Sequence, residues 1–234
     1  MIEVHMLPMG DAALLLEVAD SASVLALHET VRGRVDHANG SEDPWGCVLD
    51  LVPAARTLLL HTFPDADLTQ LGRAAFDLAA TLDPPDDNEA HDDCNAQDSE
   101  AEVVEIPVTY DGEDLDDVAQ ATGMSRDEVI EAHTASTWRV AFFGFAPGFA
   151  YLCGGDPRLQ VARRSEPRTT VPPGSVGLAG EFSAVYPRKS PGGWQLIGTT
   201  ESLMWDEERD PPSLLQPGST VRFVHNDSGS KDPA

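Results

Sequence analysis

Three arginines lie within six positions of one another, Arg163, Arg164 and Arg168. A guanidinium is a planar fork of donors that matches the paired oxygens of a carboxylate, phosphate or carbamate. The same side chains also serve as salt-bridge partners for acids elsewhere in a fold, and both roles stay open. Downstream, Gly192 and Gly193 precede Trp194, so a ligand could meet backbone beside an indole face. Tyr186 precedes a proline in a turn and can point a hydroxyl into a pocket. His133 is the histidine that adjoins this region in sequence. It is a candidate general base, or a side chain that merely caps the carbonyls of a last helical turn. The candidate catalytic groups are therefore His133 and Tyr186. The candidate substrate-binding residues are Arg163, Arg164, Arg168, Gly192, Gly193 and Trp194. Phe145, Phe149 and Trp194 are read as barrel core first and ligand platform second.

Several chemistries have no motif here. The chain lacks GxxxxGK[ST], GxGxxG after a strand, HExxH and GxSxG. His91 and Cys94 sit among acids with no standard zinc spacing, so no metal set is expected. Without a nucleotide-binding loop, this chain is not expected to hold ATP by a motif of its own.

Charge isolates the same region. Residues 138–199 carry seven bases and three acids, or +4, in a chain whose net charge is −25. A basic island in an acidic protein suits an anionic ligand or an acidic partner surface. Forty acids face fifteen bases, and lysine occurs only at Lys189 and Lys231. A lysine-poor, carboxylate-rich surface fits a halophilic source, where salt screens the repulsion. Nucleic-acid binding is not expected, because no basic face with interleaved aromatics exists. There is no run of 18 apolar residues and no signal-peptide pattern at the start, so the expected location is cytoplasmic, with reduced thiols.

The elements that must position these residues follow from pattern. Strands are expected at 1–8, 12–18, 47–52 and 56–62. Helices are expected after Asp20 or Ser21 to about His37, and after Asp65 or Asp67 to Leu82. The order ββαββα gives a two-layer α+β domain over residues 1–82. Residues 83–102 form an acidic linker without bases. Residues 103–226 begin with a strand, VVEIPVTY. Two short helices follow, 114–122 and 126–134, the second opened by the capping box of Ser125 and Glu128. Strands are expected at 138–145 and near 168–171, 175–178, 183–186, 194–197 and 220–225. Many short strands with Gly/Pro-rich turns suggest a closed β-barrel. Residues 227–234 read as a tail.

Three segments carry a family resemblance: HTASTWRVAFFGFAPGFAYL, ARRSEPRTTVPPGSVGLAG and YPRKSPGGWQLIGTT. They resemble the family of the 5-oxoprolinase B-type subunit, also described as KipI-like or allophanate hydrolase subunit 1. The match is dense over 103–224 and looser over GDAALLLEV and VPAARTLLLH. The resemblance implies a DCoH-like N-terminal domain followed by a cyclophilin-like barrel. It implies a C-type partner subunit sharing a composite pocket and an A-type subunit. ATP would be the cosubstrate of the assembly that opens 5-oxoproline to glutamate, a hydrolase acting on a cyclic amide and not active as this chain alone. The alternatives that the resemblance implies for this chain are a KipI-like inhibitor of a histidine kinase, or a subunit of a carboxyltransferase or allophanate hydrolase. Two departures stand out. Ala162 replaces the usual proline before the arginine pair, and Phe182 stands where a glutamine is usual.

Overall fold

The computed structural model describes residues 1–40, 43–83 and 103–226. The chain divides into two compact units, Met1–Ala90 and His91–Ala234. The acidic linker expected at 83–102 lies, Asp83 apart, outside the described residues, as does the tail at 227–234.

The first unit has the order read from the sequence. β1 (His5–Pro8) and β2 (Ala13–Glu17) lead into α1 (Ser21–Asp36). A 3-10 turn (Pro44–Cys47) then leads to β3 (Val48–Pro53), β4 (Thr57–Thr62) and α2 (Leu68–Ala80). The strands form an antiparallel sheet in the order β1-β2-β4-β3. Period-two alternation turns Leu14, Leu16, Leu58 and Leu60 to one buried face, where Val24, Leu27 and Val31 of α1 and Leu71 and Ala75 of α2 join the core. Asp20 caps α1 by accepting from Ser23 N–H, and Asp67 caps α2 by accepting from Thr69 and Gln70 N–H.

The second unit opens with β5 (Val104–Val108), α3 (Leu115–Thr122) and α4 (Arg126–Ala135). The capping box of Ser125 and Glu128 is formed, and Gly123 ends α3 in the left-handed conformation. The strands that follow are β6 (Trp138–Phe143), β7 (Ala150–Cys153), β8 (Arg168–Val171), β9 (Ser175–Ala179), β10 (Phe182–Val185), β11 (Ser190–Gly192), β12 (Gln195–Thr199) and β13 (Thr220–His225). Six of them join β5 in one seven-stranded sheet, β12-β9-β10-β7-β6-β13-β5. A bridge between Thr109, just past β5, and Thr199 of β12 links the first strand of this order to the last. The sheet is thus a nearly closed barrel, as the many short strands suggested. β8 and β11 form a separate two-stranded ribbon. Trp138, Val140, Val221 and Phe223 alternate inward on β6 and β13 and pack with Ile106 and Leu152.

β7 and β11 have no counterpart among the strands expected from the sequence. β7 follows the Pro147-Gly148 turn directly, and β11 is three residues long, with a bulge in its register. Each is recruited by a neighbouring strand rather than by its own pattern. Cys47 is free, whereas Cys153 is disulfide-bonded, contrary to the reduced state expected for it. Among the described residues no helix is long and apolar enough to cross a membrane.

Candidate functional site

Asp114 organises the basic region. It stands at the N-cap position of α3 but makes no side-chain cap bond. Its carboxylate instead leaves the helix. Oδ1 accepts from Arg164 Nη1 at 2.6 Å and from Arg168 Nη2 at 2.8 Å, and Oδ2 accepts from the Leu196 backbone N–H at 2.7 Å. Gly112 makes this reach possible. A Cβ there would collide with the backbone of Leu196, Ile197 and Gly198, so only glycine lets the loop lie against β12. Asp114 is 1% exposed. Burial pushes its carboxyl up, but the Arg168 hydrogen bond, the Leu196 N–H and the charges of Arg168 and Arg164 outweigh it and hold the pKa below the ordinary value. Two guanidiniums share one buried carboxylate. Glu113, largely exposed, adds a second acid to Arg168 at 3.2 Å. Arg164 Nε and Arg168 Nη1 are buried without a protein partner.

Beside this cluster lies a nest of aromatic rings. Phe149 meets Tyr151, Tyr186 and Trp194 edge-on at centroid distances of 5.1, 5.3 and 5.6 Å. Arg163 lies over the Trp194 ring, 5.9 Å from its centroid, and its charge opposes the burial that pushes the Tyr151 phenol up. Tyr186 is buried, and its hydroxyl occupies the space that a Cβ on Gly192 would need. Gly193 accepts from Arg164 N–H through its carbonyl at 2.8 Å, which ties the glycine pair to the arginine loop. Burial pushes the Tyr186 phenol up, against the opposing pull of the Trp194 backbone N–H and the Arg163 charge. The phenol therefore stays protonated at neutral pH. Phe182, in the usual place of a glutamine, packs on Phe142 and Tyr151 within the same apolar layer.

His133 stands apart from this face. It is 0% exposed, stacked on Phe223 at 4.3 Å and edge-on to Tyr110. Its Nδ1 is 2.8 Å from the Tyr110 hydroxyl and its Nε2 2.9 Å from the Ser183 hydroxyl. A neutral imidazole donates from one nitrogen and accepts at the other, and two hydroxyls satisfy either tautomer. Burial lowers its pKa to about 3. The geometry is that of a satisfied core histidine. It differs from both expectations raised by the sequence, because the ring neither caps the carbonyls of its helix nor opens to solvent. A pH dependence follows. The folded ring stays neutral down to about pH 3, whereas the unfolded ring takes up a proton near its ordinary value of about 6.5. The unfolded state therefore binds more protons as pH falls, and stability declines at up to about 1.4 kcal/mol per pH unit below that value. Denaturation midpoints between pH 7 and pH 5, above most carboxylate titrations, are expected to fall more steeply in the wild type than in His133→Leu. His28, also lowered by burial, leaves a common residual slope. Equal slopes would contradict the buried neutral ring.

The structure thus brings Arg163, Arg164, Arg168, Tyr186, Gly192, Gly193 and Trp194 into one region and leaves His133 in the core. It divides the arginine trio, with Arg164 and Arg168 converging on Asp114 and Arg163 on the indole. Asp114 and Tyr151 are not among the candidates that the sequence offers. For Asp114, the only local signal is a DGED turn at a helix start, which predicts a cap and not a hub. Among the described residues no group of three or more His, Cys, Asp or Glu could hold a metal ion.

Comparison with known proteins bears on the same chain. The family described as carboxyltransferase domain, subdomain C and D, matches residues 4–215. The 5-oxoprolinase B-type subunit of Escherichia coli O157:H7 is 45% identical over 141 residues, covering 59% of this chain and 65% of that protein. The 5-oxoprolinase B-type subunit of Bacillus subtilis (strain 168) is 47% identical over 125 residues, covering 52% of each. These matches thus span between half and two thirds of the relatives' own length. A solved structure of a conserved uncharacterized protein, PH0987 from Pyrococcus horikoshii, is 33% identical with a TM-score of 0.52, covering 96% of this chain and 98% of that one. With the family's match running through both units, from β1 to the segment before β13, the chain belongs to the carboxyltransferase domain family, subdomains C and D.

Proposed function

We propose that this chain is the B-type subunit of an ATP-dependent 5-oxoprolinase, contributing one wall of a site completed by a C-type subunit and working with an A-type subunit. The reaction would be hydrolysis of a cyclic amide, 5-oxoproline to glutamate, with ATP as cosubstrate of the assembly. The observation that carries this reading is the 45% and 47% identity to proteins described as the B-type subunit of 5-oxoprolinase. The geometry supports it. 5-Oxoproline is a compact ring with one carboxylate, and the Arg163 guanidinium over Trp194 offers a cationic fork beside a flat apolar face. Arg164 and Arg168, balanced by Asp114 and Glu113, brace the loop that carries Arg163. Tyr151, held beside Arg163, offers a hydroxyl. Tyr186 and the Gly192–Gly193 backbone shape the floor. His133, sealed in the core, acts as a support for β10 and β13 and not as a proton carrier.

The test is reconstitution. 5-Oxoproline-dependent ATP cleavage is expected from this chain mixed with its cognate A- and C-type subunits, and from no mixture that omits it. Turnover by the isolated chain would show that the site is complete without partners. An inert full mixture would end the 5-oxoprolinase reading and leave carboxyl transfer, the chemistry for which the family is described, as the next substrate class to assay.

A further inference from the structure

Phe145 is the one non-glycine with a positive φ among the described residues, at +65°. This is left-handed backbone, which an L-residue with a bulky side chain adopts only at a free-energy cost. It sits in a Gly-Phe-Ala-Pro-Gly turn held by Ala146 N–H to the Gly144 carbonyl at 2.6 Å and Phe149 N–H to the Ala146 carbonyl at 2.9 Å. Glycine would fit this backbone without strain, and glycine already flanks the position at Gly144 and Gly148. The chain nevertheless carries a phenyl ring there, and the ring is not core, being 55% exposed. It meets Phe149 at 5.2 Å and Tyr186 at 6.3 Å in T-shaped contacts. Strain is held at this position to display an aromatic face rather than to bury one.

What the ring is displayed beside identifies its use. Phe149 and Tyr186 belong to the nest that carries Trp194, and Trp194 carries Arg163. Phe145 and Arg163 thus border one aromatic layer, one apolar and one cationic. We infer that Phe145 is a specificity-determining contact. Its ring covers the apolar methylene face of a small ligand whose carboxylate is taken by Arg163, so that the site selects compact cyclic acids over open-chain ones. This inference rests on the reading of the Arg163–Trp194 face as the ligand site.

The test uses the assembled complex with 5-oxoproline as the probe and three forms of this chain: wild type, Phe145→Gly and Phe145→Tyr. Glycine relieves the backbone and removes the ring. The expected result is an unchanged or raised melting temperature, with a rise in KM of roughly tenfold, the size that covering about half an aromatic ring carries. Phe145→Tyr, which keeps the ring, recovers most of that loss. A wild-type assembly active on 5-oxoproline together with an unaffected Phe145→Gly would overturn the inference while the functional reading stands. A fall in melting temperature alongside activity would overturn it too, by making the ring part of the core. So would loss of co-purification with the partner subunits, which would make the ring an interface residue. A wild-type assembly inert on 5-oxoproline removes the functional reading, and the inference with it.

Discussion

Asp114→Ala is expected to destabilise the second unit by about 3 kcal/mol. That is the low end of the roughly 3–5 kcal/mol for breaking a buried pair by removing one partner. Water moderates the loss, because Arg164 keeps a side-chain exposure of 32%. The substitution leaves two guanidiniums facing each other with only the exposed Glu113 near Arg168, and it strips the Leu196 N–H of its acceptor. Asp114→Asn separates these effects, since the amide oxygen still accepts from Leu196 while the charge is gone. Urea denaturation followed by tryptophan fluorescence in a Trp45→Phe background reads the second unit, which holds Trp138, Trp194 and Trp205. The expected order of stability is wild type, then Asn, then Ala. Arg168→Met in the Asn background should restore part of the loss, because the uncompensated charge is then reduced. A wild-type midpoint in Asp114→Ala would contradict the hub.

Local pattern carries far into this fold. Asp20, Asp67 and Ser125 start helices because their side chains accept from backbone donors two or three residues on, a relation visible in sequence. β8 has the bounds expected of it, because Pro167 and Pro172 punctuate it on both sides. The alternating leucines of β2 and β4 likewise declare a sheet with one buried face.

The rest depends on distance along the chain. β5 pairs in parallel with β13, Ile106 beside Phe223, and no local period announces a partner so remote. Asp114 meets Arg168 across 54 positions and Leu196 across 82. The arginine trio is legible as chemistry, but its division between a carboxylate and an indole is not. His133 sits in the last turn of α4, where capping is one expectation. Only the packing of Phe223, Tyr110 and Ser183 around it reveals a core ring. Phe145, read as barrel core first, is exposed instead, because its backbone is left-handed where that conformation is expected at one of the two nearby glycines.

Arg163 carries the central claim, that the basic aromatic face touches the substrate. Unlike Arg164 and Arg168, it holds no buried carboxylate in place, and its guanidinium lies over the Trp194 ring. A charge-assisted hydrogen bond to a substrate carboxylate is worth about 1.5–3 kcal/mol, or roughly ten- to a hundredfold or more in kcat/KM. Arg163→Lys keeps the charge but loses the planar fork and its stacking, so it should fall between wild type and alanine. The decisive measurement is paired: melting temperature of the chain and steady-state 5-oxoproline turnover of the assembled complex, for Arg163→Ala against wild type. The expected result is a melting temperature within a few degrees of wild type, as for any exposed side chain, and kcat/KM lower by at least about tenfold. Undiminished turnover by Arg163→Ala in a folded, fully assembled complex would contradict the central claim.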